Sequence, residues 1–126
     1  MEKEFVPYEL AVKLKALKFD EPCFGYYHVC DGYTKGYAFC YFNEAQRYES
    51  DTAVLAPTFS QAFRWFREKH QLYCGILTEY SYGGQLHAYH ITGKRQGDVS
   101  IGGFNTYEEA ELACLTKLIE IVEQKL

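Results

Sequence analysis

Four histidines and five cysteines are the side chains of this 126-residue chain best suited to metal ligation or nucleophilic chemistry. His28 and Cys30 lie two apart in an apolar run, so on a strand they share a face. His87 and His90 lie three apart, so on a regular strand they face opposite sides. Neither arrangement supplies three convergent ligands, and neither an H-E-x-x-H motif nor a paired-cysteine motif occurs. No metal and no cofactor is therefore expected. Cys23, Cys30, Cys40, Cys74 and Cys114 are odd in number, show no C-x-x-C spacing and each sit within apolar patterns. They read as buried free thiols, because cysteine behaves as a small core residue. A G-x-S-x-G nucleophile turn, a phosphate-cradling glycine motif and a dinucleotide fingerprint are all missing, so the chain is not expected to be an enzyme. A Cys/His pair assembled by folding would be invisible at this level.

Tyrosine carries the remaining chemical potential. The chain has 12 Tyr, and Tyr26, Tyr37, Tyr41, Tyr73 and Tyr89 fall in strand-like runs. They cannot all bury their hydroxyls without partners, since an unpaired buried hydroxyl costs on the order of 1–3 kcal/mol. One reading is ordinary cross-strand packing with hydroxyls at the rim. The other is an interface for a second copy, a protein target or a planar, nucleotide-like ligand. Arg64, Trp65 and Arg67 form a second candidate surface, because Trp and Arg concentrate at binding hot spots.

The element meant to position that second surface is the helix opened by Pro57 and Thr58. Thr58 followed three residues later by Gln61 is a capping box, and Pro57 discourages helix at Ala56. Phe59, Ala62, Phe63 and Phe66 recur at i, i+3, i+4 and i+7, so the spacing predicts a buried stripe of phenylalanine. Trp65 falls at its flank, with Arg64 and Arg67 off the buried arc.

Earlier in the chain, Pro7 can open a first helix with Leu10, Leu14 and Leu17 on one side. Asp20-Glu21-Pro22 is expected to end it. Cys23 to Cys30 and Tyr37 to Phe42 read as an antiparallel hairpin around Asp31-Gly32 and Gly36. Asn43 to Ala56 is a long polar-to-apolar connection with room for a short strand at 53–55. Leu72 to Tyr80 and Leu86 to Thr92 flank a Gly83-Gly84 turn, and Val99–Ile101 reads as a short strand. Gly102-Gly103 reads as strand-end punctuation. Thr106 with Glu109 caps a last helix whose apolar face is Leu112, Leu115, Leu118, Ile119, Ile121 and Val122. Thr58–Ala62 and Thr106–Ala110 match in type, which suggests repeated architecture in the two halves.

Hydrophobic residues make up 48% of the chain, enough for a core, and aromatics 17%, which favours a sheet. The net charge of −4 leaves no basic excess for bulk nucleic-acid binding. No apolar run is long enough to span a membrane and the first residues lack a signal-peptide core, so a cytoplasmic location is the default expectation.

Three stretches, MEKEFVPYELAVKLKALKFDEPCFGYY, LAPTFSQAFRWFREKHQL and TYEEAELACLTKLIEIVE, resemble a family of small uncharacterised proteins common in gut Bacteroidetes and their phages. That resemblance implies an accessory protein of phage or mobile-element type and supplies no site residues. Separately, GGFNTYEEAELAC is similar to the last strand and helix opening of small DNA-binding domains built on a three-stranded sheet. The rest of the chain lacks the basic, Trp-bearing strands those domains lay on DNA.

The sequence thus predicts a single α+β domain over 1–126. Its expected form is one antiparallel sheet of four or five strands, with three helices mainly on one face, in the order helix, hairpin, helix, hairpin, helix. The expected function is protein binding, with a protein partner or homo-oligomer. Ligand sequestration in an aromatic pocket is the alternative, and nucleic-acid binding comes third.

Overall fold

The computed structural model describes residues 4–29, 37–41, 53–94 and 96–125. The predicted turn around Asp31-Gly32 and Gly36, together with Cys30, Phe42 and the polar start of the 43–56 connection, lies outside these residues. Over the described residues the fold is α+β, with three helices and two three-stranded antiparallel sheets, in the order α1 (Tyr8–Ala16), β1 (Gly25–Val29), β2 (Tyr37–Tyr41), β3 (Ala53–Ala56), α2 (Phe59–His70), β4 (Leu72–Ser81), β5 (Gly84–Gly93), β6 (Gln96–Phe104) and α3 (Tyr107–Gln124). The expectation of one sheet with a helix between two hairpins is corrected in both parts. A third strand follows each hairpin, and the strands divide between two sheets. Contacts gather in two compact units, Met1–Gln61 and Ala62–Leu126.

In the first unit, α1 buries Leu10, Leu14 and Leu17, as its spacing requires. It stops earlier than Asp20. Lys18 takes a left-handed conformation (φ 71°), and the Phe19 and Lys18 amides donate to the Leu14 and Lys15 carbonyls. This is a Schellman ending, with buried Phe19 covering buried Leu14. Lys15 Nζ donates to the Ala53 carbonyl at 3.1 Å, which ties α1 to β3.

The sheet of this unit runs β2-β1-β3, with β1 central. Tyr27 stands opposite Phe39 on one side and Val54 on the other. Residues directly opposite share a face, so Tyr27, Phe39 and Val54 form one layer. Phe5 packs on Phe39 at 4.7 Å and on Tyr41 at 5.9 Å between ring centroids, which closes an aromatic cluster over Gly25. The buried Tyr27 hydroxyl donates to the Val6 carbonyl at 2.6 Å. The segment before α1 is also tied down, through the Val6 amide donating to Pro57 at 2.8 Å.

α2 keeps half of its predicted cap. The Gln61 amide donates to Thr58 Oγ1 at 3.2 Å, but the Gln61 side chain donates to the Pro22 carbonyl at 2.7 Å instead of turning back on the helix. The buried arc is also rotated from the predicted stripe. Phe59, Ala62, Trp65 and Phe66 are buried, whereas Phe63 is only half-buried. At about 100° per residue this places the arc's centre roughly 50° towards Trp65.

In the second unit, β4-β5-β6 is a meander, and α3 packs against all three strands. α3 is capped as predicted. The Glu109 amide donates to Thr106 Oγ1 at 3.1 Å, and Glu109 Oε2 accepts from the Asn105 amide at 3.3 Å. Its predicted apolar face is buried except at Leu112. The two units do not repeat one another, because the central strand is the first of three in one sheet and the second of three in the other.

β6 is longer than the short strand read from Val99–Ile101, and Gly102-Gly103 does not end it. Pairing steps from Tyr89↔Ile101 to His87↔Phe104, so β6 holds one extra residue there, with Gly103 at φ 91°. Glycine tolerates that backbone, and the bulge resets the alternation. Ile101 and Phe104 therefore both turn to the side of Tyr89, and Phe104 stacks on Tyr89 at 5.9 Å.

Candidate functional site

The predicted tyrosine site does not assemble as one surface. In the first unit, Tyr26 pairs with Cys40 and is half-buried, while Tyr41 pairs with Gly25 on the opposite face. Tyr41 is half exposed but its ring is committed to Phe5 and Phe39. Tyr37 sits in β2 opposite Val29. In the second unit, Tyr89 is buried beneath α3, and burial, then Cys114 and Glu120, raise its phenol above the ordinary value. Tyr73 occupies the other face of that sheet and is 51% exposed.

The Arg64–Trp65–Arg67 surface is reduced as well. Trp65 is 3% exposed and meets Phe66 and His70 edge-on at 5.0 and 4.9 Å. A residue so covered contributes packing and is not available to a partner. Arg64 and Arg67 remain exposed on the helix.

The histidines behave as their spacing required. His87 lies on the α3 side, where Nδ1 meets Thr78 Oγ1 at 2.9 Å and the ring faces Tyr107. His90 lies on the opposite face and its Nδ1 meets Ser100 Oγ at 2.6 Å. Among the described residues, no three His, Cys, Asp or Glu side chains gather to hold a metal ion. Among them too, no helix is long and apolar enough to cross a membrane.

Two features of the second unit come forward instead. The first is the sheet face that α3 leaves open. Register places Tyr73, Gly75, Leu77 and Glu79 of β4 beside Thr92, His90, Ala88 and Leu86 of β5. The β6 side of this face is polar, with Thr92 Oγ1 donating to Asp98 Oδ1 at 2.6 Å beside the His90–Ser100 pair. Apolar side chains stand open along β4 and β5, with Tyr73 at 51%, Leu77 at 53% and Leu86 at 38% exposure, and Glu79 lies opposite Leu86. Tyr80 and Tyr82 are exposed at the β4–β5 hairpin end. In the middle row Leu77 stands opposite Ala88, and a Cβ on Gly102 would meet the Ala88 methyl at 3.3 Å. Tyr73 falls in a strand-like run of the sequence, without a mark that sets it apart from the other strand tyrosines. The signal that could have singled out this face is the alternation of Tyr73, Leu77 and Leu86 against the buried set Leu72, Tyr89 and Ile91.

The second is a groove of about 610 Å³ between β6 and α3. Tyr89, Ile101, Phe104 and Leu112 make its floor and wall, and Glu109, Lys117 and Glu120 its rim. No Trp or Arg lines it, and Tyr89 and Phe104 already stack on each other, which leaves neither ring free to sandwich a planar ligand. Searches of family models, curated proteins and solved structures match nothing to this chain.

Proposed function

We propose that this chain is a small accessory protein that acts by binding another protein, and that the open face of the β4–β5–β6 sheet makes the contact. The observation that carries this reading is the exposure of Tyr73 and Leu77 on one sheet face where an uncovered antiparallel sheet ordinarily presents polar residues. The phage or mobile-element setting rests on the sequence resemblance alone. The groove beside Tyr89 supports ligand sequestration less well, being open and lined by neither Trp nor Arg. The second unit is a three-stranded sheet with a following helix, the architecture implied by the DNA-binding resemblance. Its open face nevertheless carries no Lys or Arg among the described residues and does carry Glu79 and Asp98, which weighs against phosphate contacts.

The test compares wild type with the double variant Tyr73→Ser/Leu77→Ser. Light scattering after gel filtration reads self-association, and affinity capture from host cells with titration of the captured protein reads a foreign partner. Both side chains are exposed, so the variant should keep wild-type stability within about 0.5 kcal/mol. Loss of two central contacts, each worth roughly 1–2 kcal/mol, should weaken binding tenfold or more. Affinities equal within twofold would remove this face from consideration and leave Arg64 and Arg67.

A further inference from the structure

Cys74 and Cys114 are brought together by the fold although forty positions separate them in the sequence. Cys74 stands directly opposite fully buried Ile91, so its side chain lies on the face that α3 covers. Cys114 projects from α3 and has no exposure, and α3 packs on both β4 and β5. Both cysteines thus line the β4–α3 interface, near enough for each thiol to perturb the other. Cys74 is only partly buried, which makes it the more accessible residue of the pair.

The surroundings divide the roles. The neighbouring Cys114, and then the Arg67 guanidinium, hold the Cys74 thiol below its ordinary value against the opposing effect of burial. The neighbouring Cys74, burial and Glu111 push Cys114 up. Tyr107 and Tyr89 are the other titratable groups near the pair, and burial raises both phenols, which keeps them neutral. The arrangement is that of an attacking thiolate with a resolving thiol behind it. Cys23 is a contrasting case, pushed up to about 12 mainly by burial, with its thiol donating to the Glu21 carbonyl.

We propose that Cys74 and Cys114 form a redox-active dithiol that reacts with a small two-electron oxidant, a peroxide or a low-molecular-weight disulfide, and closes to an intramolecular disulfide between β4 and α3. With a peroxide, the Cys74 thiolate attacks one oxygen and the O–O bond breaks. This leaves a sulfenic acid on Cys74 and a hydroxide that takes up a proton. Cys114 then attacks the Cys74 sulfur, the S–O bond breaks, and its proton leaves with the departing hydroxide as a second water. With a disulfide such as oxidised glutathione, Cys74 displaces one thiolate and Cys114 the other. In both cases the pair gives up two electrons and two protons.

The experiment treats reduced, reductant-free full-length protein with one equivalent of hydrogen peroxide in one arm and with excess oxidised glutathione in the other. Alkylation and peptide mapping follow. The expected result is a Cys74–Cys114 bridged peptide, a free-thiol count that falls by two, and full recovery with dithiothreitol. Bridging in one arm only still supports the proposal and names the oxidant class. Cys74→Ser should abolish the bridge and slow peroxide consumption at least tenfold, and Cys114→Ser should stop at a trappable sulfenic acid or a mixed disulfide on Cys74. The wild-type mapping stands by itself if the buried Cys114 variant does not fold. No bridged peptide in either arm while Cys23 or Cys40 is oxidised would overturn the proposal, as would a bridge that forms only in urea.

Discussion

The rotation of α2 makes a quantitative difference between two neighbouring phenylalanines. Phe66 is 0% exposed, and truncating a fully buried Phe to Ala removes its transfer free energy and leaves a cavity. Together these cost about 3–5 kcal/mol. Phe63 is half-buried, so about half of the roughly 2–3 kcal/mol transfer term is at stake, and solvent can enter the space left behind. Phe63→Ala should therefore cost only about 1–2 kcal/mol. Trp65, at 3% exposure, should behave like Phe66. The assay is urea unfolding followed by far-ultraviolet circular dichroism. With a slope of about 1–3 kcal/mol per molar, Phe66→Ala and Trp65→Ala should lower the midpoint by more than about 1 M, and Phe63→Ala by clearly less. Slopes should stay constant across the series. A Phe63→Ala loss equal to that of Phe66→Ala, with Trp65→Ala below about 1 kcal/mol, would refute the rotated arc and restore the phenylalanine stripe.

Gly103→Ala should cost about 1–2 kcal/mol, because φ 91° disfavours a side chain although no atom lies within 4 Å of the added Cβ. Gly97→Ala, equally uncrowded and without a positive φ, should be near neutral in the same unfolding assay. His70 gives a pH signature. Burial first, and Lys125 second, hold its ring below the ordinary 6.5, so the fold disfavours the protonated form. Its contribution to stability is therefore complete above pH 6.5 and is lost as pH falls through the depressed folded value. Unfolding midpoints measured from pH 7.5 down to 5 should fall less steeply in His70→Gln than in wild type, and parallel curves would contradict this.

Local features were legible because local interactions cause them. Thr58 and Thr106 accept from amides three residues on, Leu10, Leu14 and Leu17 are adjacent on one helix, and Gly83-Gly84 turns two strands that pair with each other. The opposite sides of His87 and His90 follow from the pleat alone. Helix ends at Lys18 and Gln71 were not legible, since both hold left-handed backbone without the glycine that ordinarily marks it. There the tertiary burial of Phe19 and Leu72 on either side outweighs a cost of about 1–2 kcal/mol.

By itself, the sequence determined the class of fold, the identity of most elements, the threonine caps of α2 and α3, and the opposite facing of His87 and His90. Tertiary structure decided which strands share a sheet, because Tyr27 meeting Val54 is a choice among distant partners that no short spacing records. It decided that Trp65 and not Phe63 completes the buried arc of α2, since two large aromatics flanking Phe66 are equally apolar and only the surrounding packing ranks them. It turned the Gly102-Gly103 ending into a bulge that brings Phe104 back to Tyr89. It also brought Cys74 and Cys114 to one interface, which depends on α3 packing on β4 and which the isolated spacing of five cysteines could not express.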